Sequence, residues 1–265
     1  MSTARLLLAV PLLAGCATVV GSEATDAEAS AVTGVIVVEQ TTGTGGPHAE
    51  VSARFVKVHG PIDDASLRLA GAQLVMPAAG ECSLLVDEPL RPSRVELLSA
   101  GTLEVESASG KSTLQPRRLP DVTDLVSGVL YTARTEQVHG KVRVRAAGAE
   151  PDVAPLVVEA TAPAELTGVR VAGVEPKGAE AVSLGSSRVE LTWDAGSPAD
   201  LVYVDVLATG APTTRCAFSD QGHGALTLSS QNGTMVVHRL HREPLVGFER
   251  GELRFDVARI FAFTR

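Results

Sequence analysis

Short runs of apolar and β-branched residues recur along most of the chain, and they constrain its fold more than any other feature. They are bounded by Gly, Pro, Asn and Asp and cover 34–40, 49–58, 102–106, 129–134, 141–147, 156–161, 189–193, 201–206, 215–218, 225–228, 235–238 and 253–263. In Lys141–Arg145 the alternation gives one apolar and one cationic face, which is typical of a half-buried strand. No amphipathic helix longer than two turns is indicated. The pattern therefore predicts an all-β protein.

The composition changes after about residue 162, and this change predicts two domains. Seven of the nine aromatic residues lie beyond that point, and Ala162–Glu165 has the composition of a linker. The remaining length is close to that of an immunoglobulin-like sandwich. We therefore predict two tandem β-sandwich domains, at 32–162 and at 163–265. Trp193 is expected in the core between the two sheets of the second domain.

Two segments in the first half are predicted to be irregular. Pro116–Pro120 contains two prolines and is expected to form a loop. Ser109–Thr113 ends like a phosphate-binding loop, but position 105 is Val where that motif requires Gly. We interpret Ser109–Lys111 as the tip of a hairpin rather than as a nucleotide site.

The first sixteen residues have the layout of an export signal. Arg5 adds a positive charge to the amino terminus, and an uncharged apolar stretch follows at 6–13. About eight apolar residues are too few for a permanent transmembrane helix, which needs about 20. The stretch ends in Leu13-Ala14-Gly15-Cys16.

These four residues resemble the lipobox of bacterial lipoproteins. The resemblance implies that residues 1–15 are a cleaved signal peptide and that Cys16 carries the lipid, a diacylglyceryl group with a further acyl chain such as palmitate. Several acyl chains anchor a protein stably, whereas one does so only marginally. Ala17, a residue other than Asp, favours the outer membrane in this family. Residues 16–31 then form the lipidated Cys and a flexible tether rich in Ala, Ser, Thr, Glu and Asp.

The body of the chain carries a second resemblance, on four short segments. They are 97–103, 128–131, 191–193 and 216–222, and they are similar to those of bacterial envelope lipoproteins with no assigned activity. This resemblance implies no catalytic residues.

The charge limits the classes of partner. The formal net charge is -8, whereas a nucleic-acid-binding surface would be basic. We therefore expect no nucleic-acid partner. The expected partners are the membrane, through the lipid anchor, and an envelope protein or polymer.

The histidines do not form a recognisable metal or catalytic motif. His238 and His241 are three residues apart, which places them on opposite faces of a strand. His223 lies between two glycines and is expected in a turn. The sequence contains no HExxH, CxxC or GxSxG motif. We predict no catalytic residues, no bound metal and no cofactor.

Cys82 and Cys216 remain after lipidation of Cys16. An exported protein lies in an oxidising compartment, so a disulfide that joins the two halves is one possibility. Two separate buried thiols are the other. The sequence does not distinguish between them.

These observations favour an envelope lipoprotein, located at the outer membrane, that is a non-enzymatic binding or structural module. The alternative is an envelope hydrolase with a dispersed active site. A cleft with converging His, Ser and acidic side chains would favour the enzyme. Exposed sheet edges would favour the binding module.

Overall fold

The computed structural model describes residues 32–42, 48–59, 64–86, 94–122, 126–178 and 180–265. The predicted all-β class is confirmed, since these residues form seventeen strands and one helix of six residues. In chain order the elements are β1 (Val32–Thr42), β2 (His48–His59), α1 (Asp64–Leu69), β3 (Cys82–Leu85), β4 (Arg94–Leu97), β5 (Leu103–Ser107), β6 (Gly110–Val122), β7 (Val126–Glu136), β8 (Lys141–Ala146), β9 (Leu156–Thr161), β10 (Arg170–Val171), β11 (Val182–Ser183), β12 (Arg188–Thr192), β13 (Leu201–Leu207), β14 (Thr213–Ser219), β15 (His223–Thr227), β16 (Asn232–Pro244) and β17 (Glu252–Thr264).

A first hydrophobic core lies between two layers of strands. One layer contains β1, β2 and β7, with Phe55 and Tyr131 among its buried residues, and the other contains β5, β8 and β9, with Leu103 and Val144. Strand β6 belongs to both layers, because 110–114 pair with β5 while Gln115 and the residues after it pair with β7. The sheet thus folds over on itself at β6, as strands do at the corners of orthogonally packed sheets.

A second core lies between the three-stranded sheet β10-β12-β15 and the layer formed by β13, β14, β16 and β17. Leu191 and Trp193 contribute to it from the smaller sheet side, and Val204 and Phe261 from the larger one. Trp193 is buried and its Nε1 donates to Asp220 Oδ1 at 2.6 Å. This half of the chain is a two-layer β-sandwich.

One continuous sheet joins the two cores. Strand β1 pairs in parallel with β17, and the sheet runs from β3 at one end to β9 at the other. Strand β17 supplies Leu253 and Phe255 to the first core and Phe261 and Phe263 to the second. Most residues of the first core precede the predicted boundary at 162/163, and the residues of the second core follow it. The large sheet, however, continues across this boundary. The division into two domains therefore stays a prediction.

The loop predicted at Pro116–Pro120 is wrong, because these residues lie within β6. Pro116 is opposite Tyr131 of β7, and from Gln115 onwards β6 pairs with β7 alone among the described strands. An edge strand tolerates proline because one of its sides needs no ladder hydrogen bonds. The hairpin expected at Ser109–Lys111 is present, with Ser107 opposite Gly110.

Residues 64–86 form a segment that we call the strap. Its first part, 64–76, packs on the outer face of the large sheet, the face turned away from both cores, and β3 then joins the sheet as its end strand. Helix α1 ends at Leu69, and Gly71, two residues further on, has a φ of 65° that is typical of a glycine after a helix. Arg54 Nη1 donates to the Gly71 carbonyl at 2.7 Å. Further along, Gly80 N donates to Ala217 O at 2.7 Å, and β3 then pairs with β14. The strap thereby connects the first half of the chain to the second.

Candidate functional site

A cluster of polar side chains lies on the outer face of the large sheet, and we call it the outer cluster. It consists of Tyr203, Asp205, Arg215, His238 and Asp256. Tyr203 is opposite His238 in the pairing of β13 with β16, and Asp205 is opposite Arg215 in the pairing with β14. Alternate residues of a strand point to the same face, so the inward neighbours of these residues fill the second core.

Asp256 is the centre of the outer cluster. Tyr203 Oη donates to its Oδ2 at 2.5 Å, and His238 Nδ1 lies 2.7 Å from its Oδ1. The tyrosine and histidine rings stack, with centroids 4.1 Å apart. Burial, followed by the adjacent Asp256 carboxylate, raises the pKa of Tyr203 far above its usual value. Tyr203 is therefore a hydrogen-bond donor at any physiological pH.

Arg215 closes the cluster on the strap side. Its guanidinium donates from Nε and Nη2 to both oxygens of Asp205, at 2.7 and 2.6 Å, and from Nη1 to Val75 O at 2.8 Å. It also lies 4.8 Å from the centroid of the Tyr203 ring. The bidentate geometry fixes the guanidinium, and the cation faces the aromatic ring. Arg215 therefore holds the strap against the sheet.

An Asp–His pair of this geometry can orient an imidazole to accept a proton, as in hydrolases. His238 borders a cavity of about 290 Å³ that Glu39, Glu50 and Ile260 also line. No Ser, Thr or Cys side chain of the described residues is hydrogen-bonded to His238. Among the described residues, the arrangement therefore offers a candidate base without a hydrogen-bonded nucleophile, and His238 would act there by activating water.

His48 lines the same cavity as His238, whereas His241 and His223 lie apart from the pair. His241 Nδ1 lies 2.7 Å from Asp200 Oδ1, whereas His238 contacts Asp256, so the two histidines have separate carboxylate partners. His223 is exposed at the start of β15. Within the described part of the chain, no group of three or more His, Cys, Asp or Glu residues is arranged to hold a metal ion.

The structure joins Cys82 and Cys216 in a disulfide, with an Sγ–Sγ distance of 2.01 Å. The two cysteines are directly opposite each other in the pairing of β3 with β14. Cys16, the predicted lipidation site, lies outside the described residues, as do the predicted signal peptide and tether.

Sequence reasoning missed the buried ion pair between Arg239 and Asp220. Arg239 is 1% exposed, and its Nε donates to Asp220 Oδ2 at 2.7 Å. Its other nitrogens donate to the carbonyls of Ala164, Glu165 and Asp194. In the sequence Arg239 alternates with Met235 and Val237. This pattern indicates only that it faces inward on the strand, not which residue it pairs with. The pair is structural, because its donors are all used within the protein.

The two ends of the large sheet are short apolar strands. At one end β9 begins Leu156-Val157-Val158, and Val157 is 64% exposed. No described strand pairs with its outer side. At the other end β3 exposes Leu84. Proteins usually protect such edges with charges or prolines, since an open apolar edge pairs readily with another chain.

Comparisons with known proteins add little. No protein-family profile matches the chain, and no curated protein is significantly similar to it. Among solved structures, the fibronectin(III)-like modules of CbhA from Clostridium thermocellum are similar to it at 14% identity. The match covers 86% of this chain and 92% of that chain with a TM-score of 0.18, which is too low to support any argument. In the described residues, no helix is long and apolar enough to cross a membrane.

Proposed function

We propose that this protein is an envelope lipoprotein, anchored at the outer membrane through Cys16, whose folded body is a non-enzymatic binding or structural module. The lipobox residues Leu13-Ala14-Gly15-Cys16 support the anchor. The predicted tether, 17–31, contains enough residues for the body to stand about 20–25 Å from the lipid. An acidic body above an anionic membrane surface is repelled from it and remains available to other partners.

The open edge of β9 is the observation that supports a binding role most directly. An extended segment of an envelope protein can add to this edge as a further strand, with hydrogen bonds between main chains. Val157 would then contact the side chains of the added strand on the exposed face of the sheet. Such binding requires neither a deep cleft nor exposed aromatic residues, and the chain has only nine aromatic residues.

The anchor is tested by the intact mass of the full-length protein extracted from membranes, beside a Cys16→Ser variant. We expect the native protein to have lost fifteen residues and gained a lipid mass, and the variant to lack that gain. A native protein without lipid would contradict the anchor.

The binding role is tested by a photo-crosslinking amino acid placed at Val157 in the membrane-anchored chain. Val174 is the matched control, since it is also a valine and is 50% exposed, but lies outside the edge strands. We expect a discrete crosslinked envelope component from position 157 and none from position 174. The same products from both positions would indicate random collisions and would contradict binding at β9.

The His238–Asp256 pair supports the second candidate, an envelope hydrolase. This proposal predicts that the purified protein releases soluble fragments from labelled envelope polymer and that His238→Ala abolishes the release. His223→Ala is the control, because His223 is exposed and its Nδ1 lies 3.3 Å from Gln221 O instead of contacting Asp256. Equal release by both variants would exclude His238 as the base.

A further inference from the structure

A row of alternating charges crosses the exposed face of the layer formed by β5, β8 and β9, and it stops at the free edge of β9. Glu106 of β5 is opposite both Lys111 of β6 and Arg143 of β8. Arg143 is in turn opposite Glu159 of β9. Opposite charges that face each other stabilise a pair of strands, whereas like charges destabilise it. The row ends in a negative charge, so the position beyond Glu159 favours a positive one.

The Glu159 carboxylate can accept a further hydrogen bond. Arg143 donates to it from Nε and from Nη2, and both bonds go to Oε1. Within the described residues, Oε2 of Glu159 has no hydrogen-bond donor. The side chain is 56% exposed, so a donor from another chain can reach it. A guanidinium or ammonium group on an added strand would therefore continue the row.

The main chain of β9 determines which residues meet an added strand. The Ala162 amide donates to Gly140 O at 2.8 Å, one position beyond the end of β9. In an antiparallel ladder, hydrogen-bonded pairs alternate with pairs that are not hydrogen-bonded. The N–H and C=O groups of Val157, Glu159 and Thr161 therefore point away from β8, towards the free edge. These are also the three residues of β9 whose side chains are exposed.

The positions next to Glu159 favour apolar partners. Val157 lies on the same face as Glu159 and is 64% exposed. On the inner face, Leu156 and Val158 pack against the first core but are only partly buried. A strand beside β9 would remove more of this apolar surface from water if the residues opposite these three were apolar as well.

We propose that β9 binds an extended segment in which a basic residue, opposite Glu159, lies two positions before an apolar residue, opposite Val157. This inference rests on the binding role proposed for β9 and adds the sequence class of the partner. The added strand is antiparallel to β9, as all neighbours in this layer are to one another. The residue between the basic and the apolar position faces the first core and is apolar.

A second copy of β9 does not meet this requirement. Residues that face each other across two paired strands lie on the same side of the sheet. The outward side chains of β9 are Val157, Glu159 and Thr161, and none of them is positive. Two paired copies would therefore place an uncharged side chain or another carboxylate opposite Glu159. The charge row favours a partner with a different sequence.

The test is a titration of fluorescent peptides with the full-length protein in detergent, followed by anisotropy. One peptide contains Thr-Leu-Arg-Val-Val between Gly-Ser flanks, and the other has Glu in place of Arg. We expect the native protein to bind the Arg peptide about 3–10-fold more tightly than the Glu peptide. The variant Glu159→Lys is expected to reverse this order, and Glu159→Gln to bind both peptides equally.

Glu106→Lys is the matched control. It makes the same change of charge in the same row, but Glu106 lies two strands from β9. At a strand spacing of about 4.8 Å, it is roughly 14 Å from the added strand, beyond the Debye length of about 8 Å at physiological ionic strength. Its preference for the Arg peptide is expected to equal that of the native protein. A reversal in Glu106→Lys as well would show an effect of net charge and would overturn the proposal.

Val157→Pro distinguishes a failure of this inference from a failure of the binding role of β9. Because the Val157 amide points away from β8, proline removes a free donor of the edge and no bond of the β8–β9 ladder. Equal affinities of the native protein for the two peptides, both lost in Val157→Pro, would overturn the charge preference and leave binding at β9 intact.

Two further outcomes would overturn the binding role of β9 together with the charge preference. They are the absence of binding by either peptide and binding that Val157→Pro leaves unchanged. Dimerisation of the native protein that Val157→Pro abolishes, measured by sedimentation, would identify a second copy as the occupant of the edge. That result would overturn the proposed partner class.

Discussion

Arg239 is the bulkiest fully buried side chain in the described part of the molecule. Its truncation would leave the Asp220 carboxylate buried and unpaired and the carbonyls of Ala164 and Glu165 without their donor. We expect Arg239→Ala to lower the free energy of unfolding by about 3–5 kcal/mol in urea denaturation. Arg242→Ala, on the same strand but with a partly exposed ion pair, is expected to cost less than about 1 kcal/mol. Similar losses in the two variants would contradict a buried structural role for Arg239.

Glu39 gives the residue-scale prediction for pH. Partial desolvation at the sheet surface, followed by the nearby Asp256 charge, raises the pKa of Glu39 above its ordinary value of 4.5. The folded state therefore holds this proton more tightly than the unfolded state, and stability is lost as the pH rises from 4.5 through the folded pKa. Glu39→Gln removes this loss. Its urea midpoint is expected to exceed that of the native protein at pH 7, with little difference at pH 4.

The control for this prediction is Glu190→Gln, an exposed change on β12 in the three-stranded sheet. Like Glu39→Gln, it removes one negative charge, but it does not remove a charge that interacts with Asp256. If both variants gain the same stability between pH 4 and pH 7, the effect is one of net charge, and the local interpretation of Glu39 is wrong.

Among the individual elements, the strap depends most on a single covalent bond. The Cys82–Cys216 disulfide closes a separation of 134 residues. In the chain-entropy treatment, removal of such a link with Cys82→Ser/Cys216→Ser lowers the free energy of unfolding by about 4–5 kcal/mol. Hydrogen exchange should locate the change, because the amide of Gly80, a residue of the strap, donates a hydrogen bond to Ala217 O in β14. In the double variant, we expect the Gly80 amide to lose more protection from exchange than the Val144 amide in β8. An equal loss at both amides would contradict a local role for the disulfide.

The same elements show what the sequence could predict. Strand β8 alternates strictly and β2 alternates except at Phe55-Val56, and the positions of both agree with the predicted runs within one residue. Strand β3 was missed because its four residues, Cys82-Ser83-Leu84-Leu85, are too few and do not alternate between apolar and polar types. The outer cluster was also missed, because its residues come from strands whose pairing is set by contacts distant in sequence. Local alternation predicts a strand, but not its neighbour.

At the scale of the whole molecule, the parallel pairing of β1 with β17 joins the two cores into one structure. We therefore expect a perturbation of one core to lower the stability of the other. Leu103→Ala removes a fully buried side chain from the first core, at an expected cost of about 2–5 kcal/mol. Trp193 is the single tryptophan and reports on the second core.

The measurement compares denaturation followed by Trp193 fluorescence with denaturation followed by far-ultraviolet circular dichroism, which reports on all strands. If the continuous sheet makes unfolding cooperative, Leu103→Ala shifts both curves to the same lower midpoint. Leu191→Ala, in the second core, should shift both curves in the same way. A fluorescence midpoint that stays at its native value in Leu103→Ala would instead mean that the halves unfold separately. Two independent domains would then describe the molecule better than one sheet with two cores, because the β1–β17 ladder would be too weak to couple them.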